Sequence, residues 1–391
     1  MKSIYKISFG VLASSLVSLA TSLPSLAITL YTISNIGELD KDFSGNNSYI
    51  YAFDINNKNQ VAGVYSANEG QRAFIWDSVK GLRNLGTLPT SVGGAYSTGT
   101  NINDLGQVIG FSGDNLKLRT FVWEESTGIR DLGIPGSENF DPISGNDINN
   151  LGQVVGDITS ANNVTRGFIW DTRLKENLVT IEDNSSNNIV STAKAINDKG
   201  EVTGFIFDRN SNSPSRTYLR TSSGEIEQIG INLSPNAINN KTQIVGESPL
   251  TNNQNRAFLW DRISGVRDLG VLGTRNNGDS FSSAYGINNK SQVVGTSTTN
   301  IGTSGFIWSD GVMTDLQSLI NPSSGWVIQD AWAINDNGYI VGNGFFNGLE
   351  RAFLLAPQSS PPTSIPEPAS ISALISLSLI ALYSQQKSKH K

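Results

Sequence analysis

The sequence predicts an all-β fold, a seven-bladed β-propeller of four-stranded antiparallel blades, and three observations carry that prediction. One motif recurs seven times, each copy holds a tight turn, and the segment before the first copy matches the piece missing from the last. The composition agrees, since 39 glycines and only 16% charged residues suit short strands and turns better than long charged helices. A β-solenoid is the rival architecture for repeats of this length.

The first repeated element is Ile-Asn-(Asn/Asp), two variable residues, then a β-branched pair ending in Gly. It reads INNKNQVAG from Ile55, INDLGQVIG from Ile102, INNLGQVVG from Ile148 and INDKGEVTG from Ile196. It returns as INNKTQIVG from Ile238, INNKSQVVG from Ile287 and INDNGYIVG from Ile334. Successive copies lie 42 to 49 residues apart, the length of a propeller blade.

A second element follows each time, beginning at Arg72, Arg119, Arg166, Arg216, Arg256, Ser304 and Arg351, with RAFIW as its first form. A third follows, as in Asn84-Leu85-Gly86 and Asp268-Leu269-Gly270, and it is degenerate in repeat three around 178–181. Each unit therefore supplies four short strands. Inside the first element, Asn59, Gly106, Gly152, Gly200 and Gly338 occupy a hairpin position that asks for positive φ. Thr242 and Ser291 stand there in repeats five and six, where the same backbone is mildly strained.

Closure distinguishes propeller from solenoid. Repeat seven ends at Leu355-Ala356-Pro357 without a third element, while Tyr31 to Gly37 precedes repeat one and looks like that missing strand. A ring completed in this way hides the edges that an open solenoid exposes.

These units resemble the HAF repeats of bacterial extracellular proteins, whose pattern runs Ala-x-x-Ile-Asn, Gly-x-Val-Val-Gly, His-Ala-Phe-(Leu/Ile)-Trp and Asp-Leu-Gly. The resemblance covers residues 28–357. The histidine of that pattern is Arg in six repeats here and Ser304 in the sixth, so no role of that histidine carries over. The resemblance implies an exported repeat protein and supplies no activity.

Both ends read as addresses. Lys2 and Lys6, an apolar run from Ile7 to Ala20 and Ser25-Leu26-Ala27 predict a signal peptide over 1–27, cleaved after Ala27. A Pro/Ser linker over 358–365 leads to a tail over 366–391: Pro366-Glu367-Pro368, an apolar stretch from Ala369 to Tyr383, then Lys387, Lys389 and Lys391. The stretch is short for a permanent transmembrane helix, and the lysines place its end in the cytoplasm and the body outside. The tail resembles the PEP-CTERM sorting signal. That resemblance implies recognition by an exosortase at the inner membrane and delivery to the cell surface or exopolysaccharide layer.

Composition excludes several chemistries. There is no cysteine, and the one histidine is His390, so thiolate chemistry, a Ser-His triad and histidine metal sites are missing from the body. The chain carries a net charge of −6, and five of its lysines lie in the two ends, so the body is more acidic still. An acidic body without a basic stripe argues against nucleic-acid partners.

Candidate sites are therefore weighed on repetition. Trp76, Trp123, Trp170, Trp260 and Trp308 hold one place in their blades and are expected in the core. Trp326 and Trp332 lie in a non-repeated insertion and are the surface candidates for ligand binding. The repeated arginines, with the acid after four of the blade tryptophans (Asp77, Glu124, Asp171 and Asp261), predict polar pairing within or between blades, with an arginine-lined channel as the alternative.

Asp104, Asp198 and Asp336 suit turns better than Ca²⁺ binding, and no metal or cofactor is expected. Glu38, Asp40, Glu138, Asp141 and Asp279 are the acids outside the repeat, and no spacing among them singles out a catalytic pair. The variable segments 66–71, 113–118, 158–165, 208–215 and 248–255 are polar and suit wet recognition. The expected function is a surface or matrix module, non-catalytic, for exopolysaccharide or envelope proteins. The alternative is a carbohydrate-active enzyme using carboxylates on a propeller face.

Overall fold

The computed structural model describes residues 30–37, 49–67, 70–90, 93–114, 117–134, 144–160, 164–173, 178–181, 188–249 and 254–358. The predicted signal peptide and the sorting tail lie outside the described residues, as do Glu38, Asp40, Glu138 and Asp141. Among the described residues no helix is long and apolar enough to cross a membrane.

The chain folds as a seven-bladed β-propeller, each blade a four-stranded antiparallel sheet in which two blades have their inner strand split in two. Blade one shows the plan: Ile50–Ile55 lines the axis, followed outward by Val61–Ala67, Gly70–Asp77 and Gly81–Asn84. The Ile-Asn element thus forms the end of the inner strand and the turn into the second. RAFIW forms the third strand.

Sequence periodicity dictates what each strand buries. A blade is too thin to hide its two faces by itself, so neighbouring blades share seven apolar clusters, each drawn from two adjacent blades. The third-strand aromatic is fully enclosed in every blade, as with Phe74, Phe168, Tyr218 and Phe353. Burying such a ring contributes roughly 1.5–3 kcal/mol. The blade tryptophans join these clusters: Trp123, Trp170, Trp260 and Trp308 are buried and Trp76 is half-buried, as their repetition predicts.

The repeated glycine of the second strand permits a close approach. A Cβ at Gly156 would stand 1.8 Å from the carbonyl oxygen of Ser144 on the inner strand, and one at Gly63 would stand 2.1 Å from that of Tyr51. The inner strand crowds there because it bulges. In five blades the register slips by one residue just before the Ile, and in the other two the strand is interrupted at the same place.

The ring closes as its ends predict. Tyr31–Asn35 pairs antiparallel with Leu349–Pro357, Tyr31 opposite Pro357 and Asn35 opposite Phe353, and supplies the outer strand of blade seven. Flanking hydrogen bonds join Ile36 N to Ala352 O at 3.0 Å and Gln358 N to Leu30 O at 2.8 Å.

Candidate functional site

The seven Ile-Asn turns crowd around the axis at one face of the ring. Each Asn that follows the Ile is buried and folds its own hairpin; Asn149 Oδ1 accepts from Leu151 N at 3.1 Å and Gln153 N at 2.9 Å. Its Nδ2 then donates across the blade boundary, to the carbonyl of Asn197 at 3.0 Å. The same bond repeats from Asn56 to Asn103, on through every blade, and from Asn335 back to Asn56, at 2.9–3.0 Å throughout.

The next residue builds a second ring. The backbone N–H of Asn57, Asp104, Asn150, Asp198, Asn240, Asn289 and Asp336 each donates to the side-chain oxygen of its neighbour, at 2.6–2.9 Å, until Asp336 meets Asn57. The acids at 104, 198 and 336 are thereby structural, bonded by amide donors. The hairpin position takes positive φ in every blade, including Thr242 at 64° and Ser291 at 66°. Both side chains bond to the preceding blade, Thr242 Oγ1 to Glu201 at 2.7 Å and Ser291 Oγ to Gln243 at 2.8 Å, which offsets the strain.

Beneath these rings lies a channel of about 580 Å³. Bulges re-aim the residue they expel, and here that is the residue two before the Ile. In blades six, seven and one it is Tyr285, Trp332 and Phe53, all lining the channel. Tyr285 stacks on Trp332 with centroids 4.6 Å apart and an 11° tilt, and Phe53 meets Trp332 edge-on at 5.7 Å. Blades two and five place Thr100 and Asn236 on the wall. In blade four Lys194 turns away, its Nζ 3.1 Å from Asp157.

One residue nearer the Ile, blades one and three carry carboxyls on the channel wall. Asp54 accepts from Ile55 N and, across the blade boundary, from Ile102 N, both at 2.8 Å. Asp147 does the same with Ile148 N at 2.8 Å and Ile196 N at 2.9 Å. Burial pushes Asp54 up to about 7 against the pull of those N–H groups, and pushes Asp147 up to about 6.

The two insertion tryptophans part company. Trp332 lines the channel, whereas Trp326 is 5% exposed and packs in the core at 5.2 Å from Phe346 and 5.9 Å from Phe353. Trp326 is thus not a surface residue, because two 3-10 turns, Leu316–Leu319 and Pro322–Ser324, carry its ring inward. Three of the repeated arginines pair between blades, Arg72 and Arg256 donating to the carbonyls of Ala95 at 2.9 Å and Ser280 at 2.7 Å, and Arg166 to that of Ile189, whereas Arg119 pairs within its blade with Asp131 at 3.1 Å. None of them lines the channel.

The acids after the tryptophans pair within their blades, Asp77 with Arg83 at 3.1 Å and Glu124 with Arg130 at 2.9 Å. Asp279 is exposed and bonded to Asn277, away from the channel. Among the described residues no group of three acids or histidines could hold a metal ion. The segments 66–71 through 248–255 join the second and third strands, so their described residues lie at the opposite face from the Asn rings.

Sequence reasoning missed Phe53, Tyr285, Asp54 and Asp147. The signal was present in the two positions before each Ile, which differ from blade to blade inside an otherwise repeated element.

No protein-family model and no curated protein matches the chain. Solved structures do. A prolyl oligopeptidase B from Galerina marginata superposes with a TM-score of 0.56 at 11% identity, over 81% of this chain and 50% of that one. A structure from a study of two prolyl endopeptidases gives 0.52 at 8% identity, over 85% of this chain and 51% of its own. The chain thus spans about half the length of these neighbours, and at such identity the likeness concerns the propeller fold alone.

Proposed function

We propose that the chain is an exported, non-catalytic binding module of the cell surface or extracellular matrix, whose ligand enters the axial channel. The observation that carries this reading is the contrast along the inner strand. The Asn positions repeat through all seven blades and lock the ring, while the two positions before each Ile differ from blade to blade and, in every blade but the fourth, contribute to a concave, partly aromatic wall. Ligand sites of this size combine apolar faces with a few fixed polar groups.

The Pro366-Glu367-Pro368 tail and its basic end support surface delivery by an exosortase-type system. Exopolysaccharide is the ligand class that such a location supplies. The test is binding of the purified protein to a glycan array and to native exopolysaccharide, with release of reducing ends followed in the same samples. Saturable binding without new reducing ends is expected. Cleavage of any glycan would replace this reading with that of a carbohydrate-active enzyme.

A further inference from the structure

The channel has a chemical polarity that the binding reading leaves unspecified. Tyr285, Trp332 and Phe53 come from three consecutive blades and form one aromatic arc. In a ring of seven, blade three stands across from blades six and seven, so Asp147 faces the Tyr285–Trp332 stack, and Asp54 stands beside Phe53. Asp104, Asp198 and Asp336 line the channel at the level of the Asn rings, and no lysine or arginine is among the described residues that line it.

From this juxtaposition we propose that the channel binds an organic ammonium group, held between the aromatic arc and the Asp54 and Asp147 carboxylates. The proposal rests on the channel being the binding site, as argued above, and names the charge and chemical class of what enters it. An ammonium gains from the negative faces of indole and phenol rings, by about 2 kcal/mol or more once desolvated, and from a paired carboxylate. The Asp54 and Asp147 carboxyls, each held by two backbone N–H groups, have no cationic partner among the residues lining the channel; an ammonium would supply one, and an anion is repelled by them.

The carboxyls respond to such a ligand. Asp54 faces two backbone N–H groups and the acids Asp104 and Asp147, and Asp147 faces two backbone N–H groups and Asp198. No cation offsets the burial that raises either one. A bound ammonium favours the ionised form, so uptake of a quaternary ammonium releases protons and tightens as the pH rises from 5 to 8, whereas an amino sugar gains only until its own ammonium begins to deprotonate. The ammonium of an amino sugar in a polysaccharide and a free quaternary ammonium compound share this chemistry.

Titration calorimetry of the purified protein with tetramethylammonium, glucosamine, N-acetylglucosamine and glucose separates the cases. One or both cations are expected to bind at least about tenfold more tightly than the two neutral sugars. Glucosamine alone would assign the amino sugar, and tetramethylammonium alone a quaternary ligand. Trp332→Leu, or Tyr285→Leu should the first not fold, is expected to weaken the cation about tenfold, as is Asp54→Asn combined with Asp147→Asn.

Neutral sugars binding as tightly as glucosamine would overturn the charge assignment and leave the channel reading standing. Cation binding that none of these variants alters would overturn the location. Failure of all four probes would overturn the ammonium proposal, while exopolysaccharide binding measured separately decides the broader reading.

Discussion

Asn335 donates its Nδ2 to the carbonyl of Asn56 at 2.9 Å, joining residues 279 apart in sequence. This is the last link of a ring of side-chain-to-backbone bonds, each buried and each crossing a blade boundary. Such a link stabilises only when its neighbours are in place, so the ring ties the cooperativity of seven thin sheets to seven amides.

Removing one amide should therefore cost more than one average hydrogen bond. Asn149→Ala strands the N–H groups of Leu151 and Gln153 and leaves the Asn197 carbonyl with Gly200 N as its remaining donor. A loss on the order of 3 kcal/mol is expected. Asn149→Asp should cost at least as much, since it turns a lone pair towards that carbonyl. Urea unfolding of the three proteins measures both.

The glycine facing the bulge is a second point of tension. Gly156→Ala places a methyl against the Ser144 carbonyl and should destabilise by about 3 kcal/mol. Gly265→Ala meets open space and carries only the strain of a positive φ of 67°, about 1 kcal/mol. Thermal melts that ranked the two the other way round would contradict the close approach.

Stability should also carry the mark of Asp54. Its carboxyl is raised in the fold from 3.8 to about 7, so the folded state holds a proton that the unfolded chain releases first. The stabilisation is fully present below pH 4 and is lost as the pH climbs to 7. Asp54→Asn removes the titration, and Asn101 already stands in the equivalent place in blade two. Relative to the parent, the variant should gain up to about 1.4 kcal/mol per pH unit across that window. A pH series of urea midpoints reads the slope, and parallel curves would refute the shift.

The two insertion tryptophans offer a contrast. Trp326→Ala empties a core site and should cost roughly 3–5 kcal/mol. Trp332→Ala removes a channel-lining ring whose space stays open to solvent, and should cost clearly less. Differential scanning calorimetry of the two variants tests the assignment of one to packing and the other to the wall.

The fold was legible because the repeat exposes its own logic. Seven Ile-Asn turns, seven second strands that carry a Gly near their start and a first segment resembling the missing last strand dictate blades, hairpins and closure together. Thr242 and Ser291 were legible as strained turns from position alone, although their bonds to Glu201 and Gln243 were not, since those depend on the packing of one blade against the next.

The site was harder to read. Trp332 stood out as a non-repeated aromatic, but so did Trp326, and only the inward path of the insertion separates core from channel. Phe53 and Tyr285 were hidden because alternation along a strand assumes an unbroken register, and the bulge falls on these two residues themselves. Asp54 and Asp147 look like ordinary turn-flanking acids until the ring gathers them at the axis.

The hydrogen bond between Leu30 and Gln358 brings both ends of the propeller to one spot on the rim of blade seven, and Pro357 lies 3.7 Å from where a Cβ of Gly338 would stand, beside the Asn turns. Whatever is attached at either end therefore holds the propeller by that single corner, on the side of the Asn turns and away from the strand ends at Ala67 and Pro249.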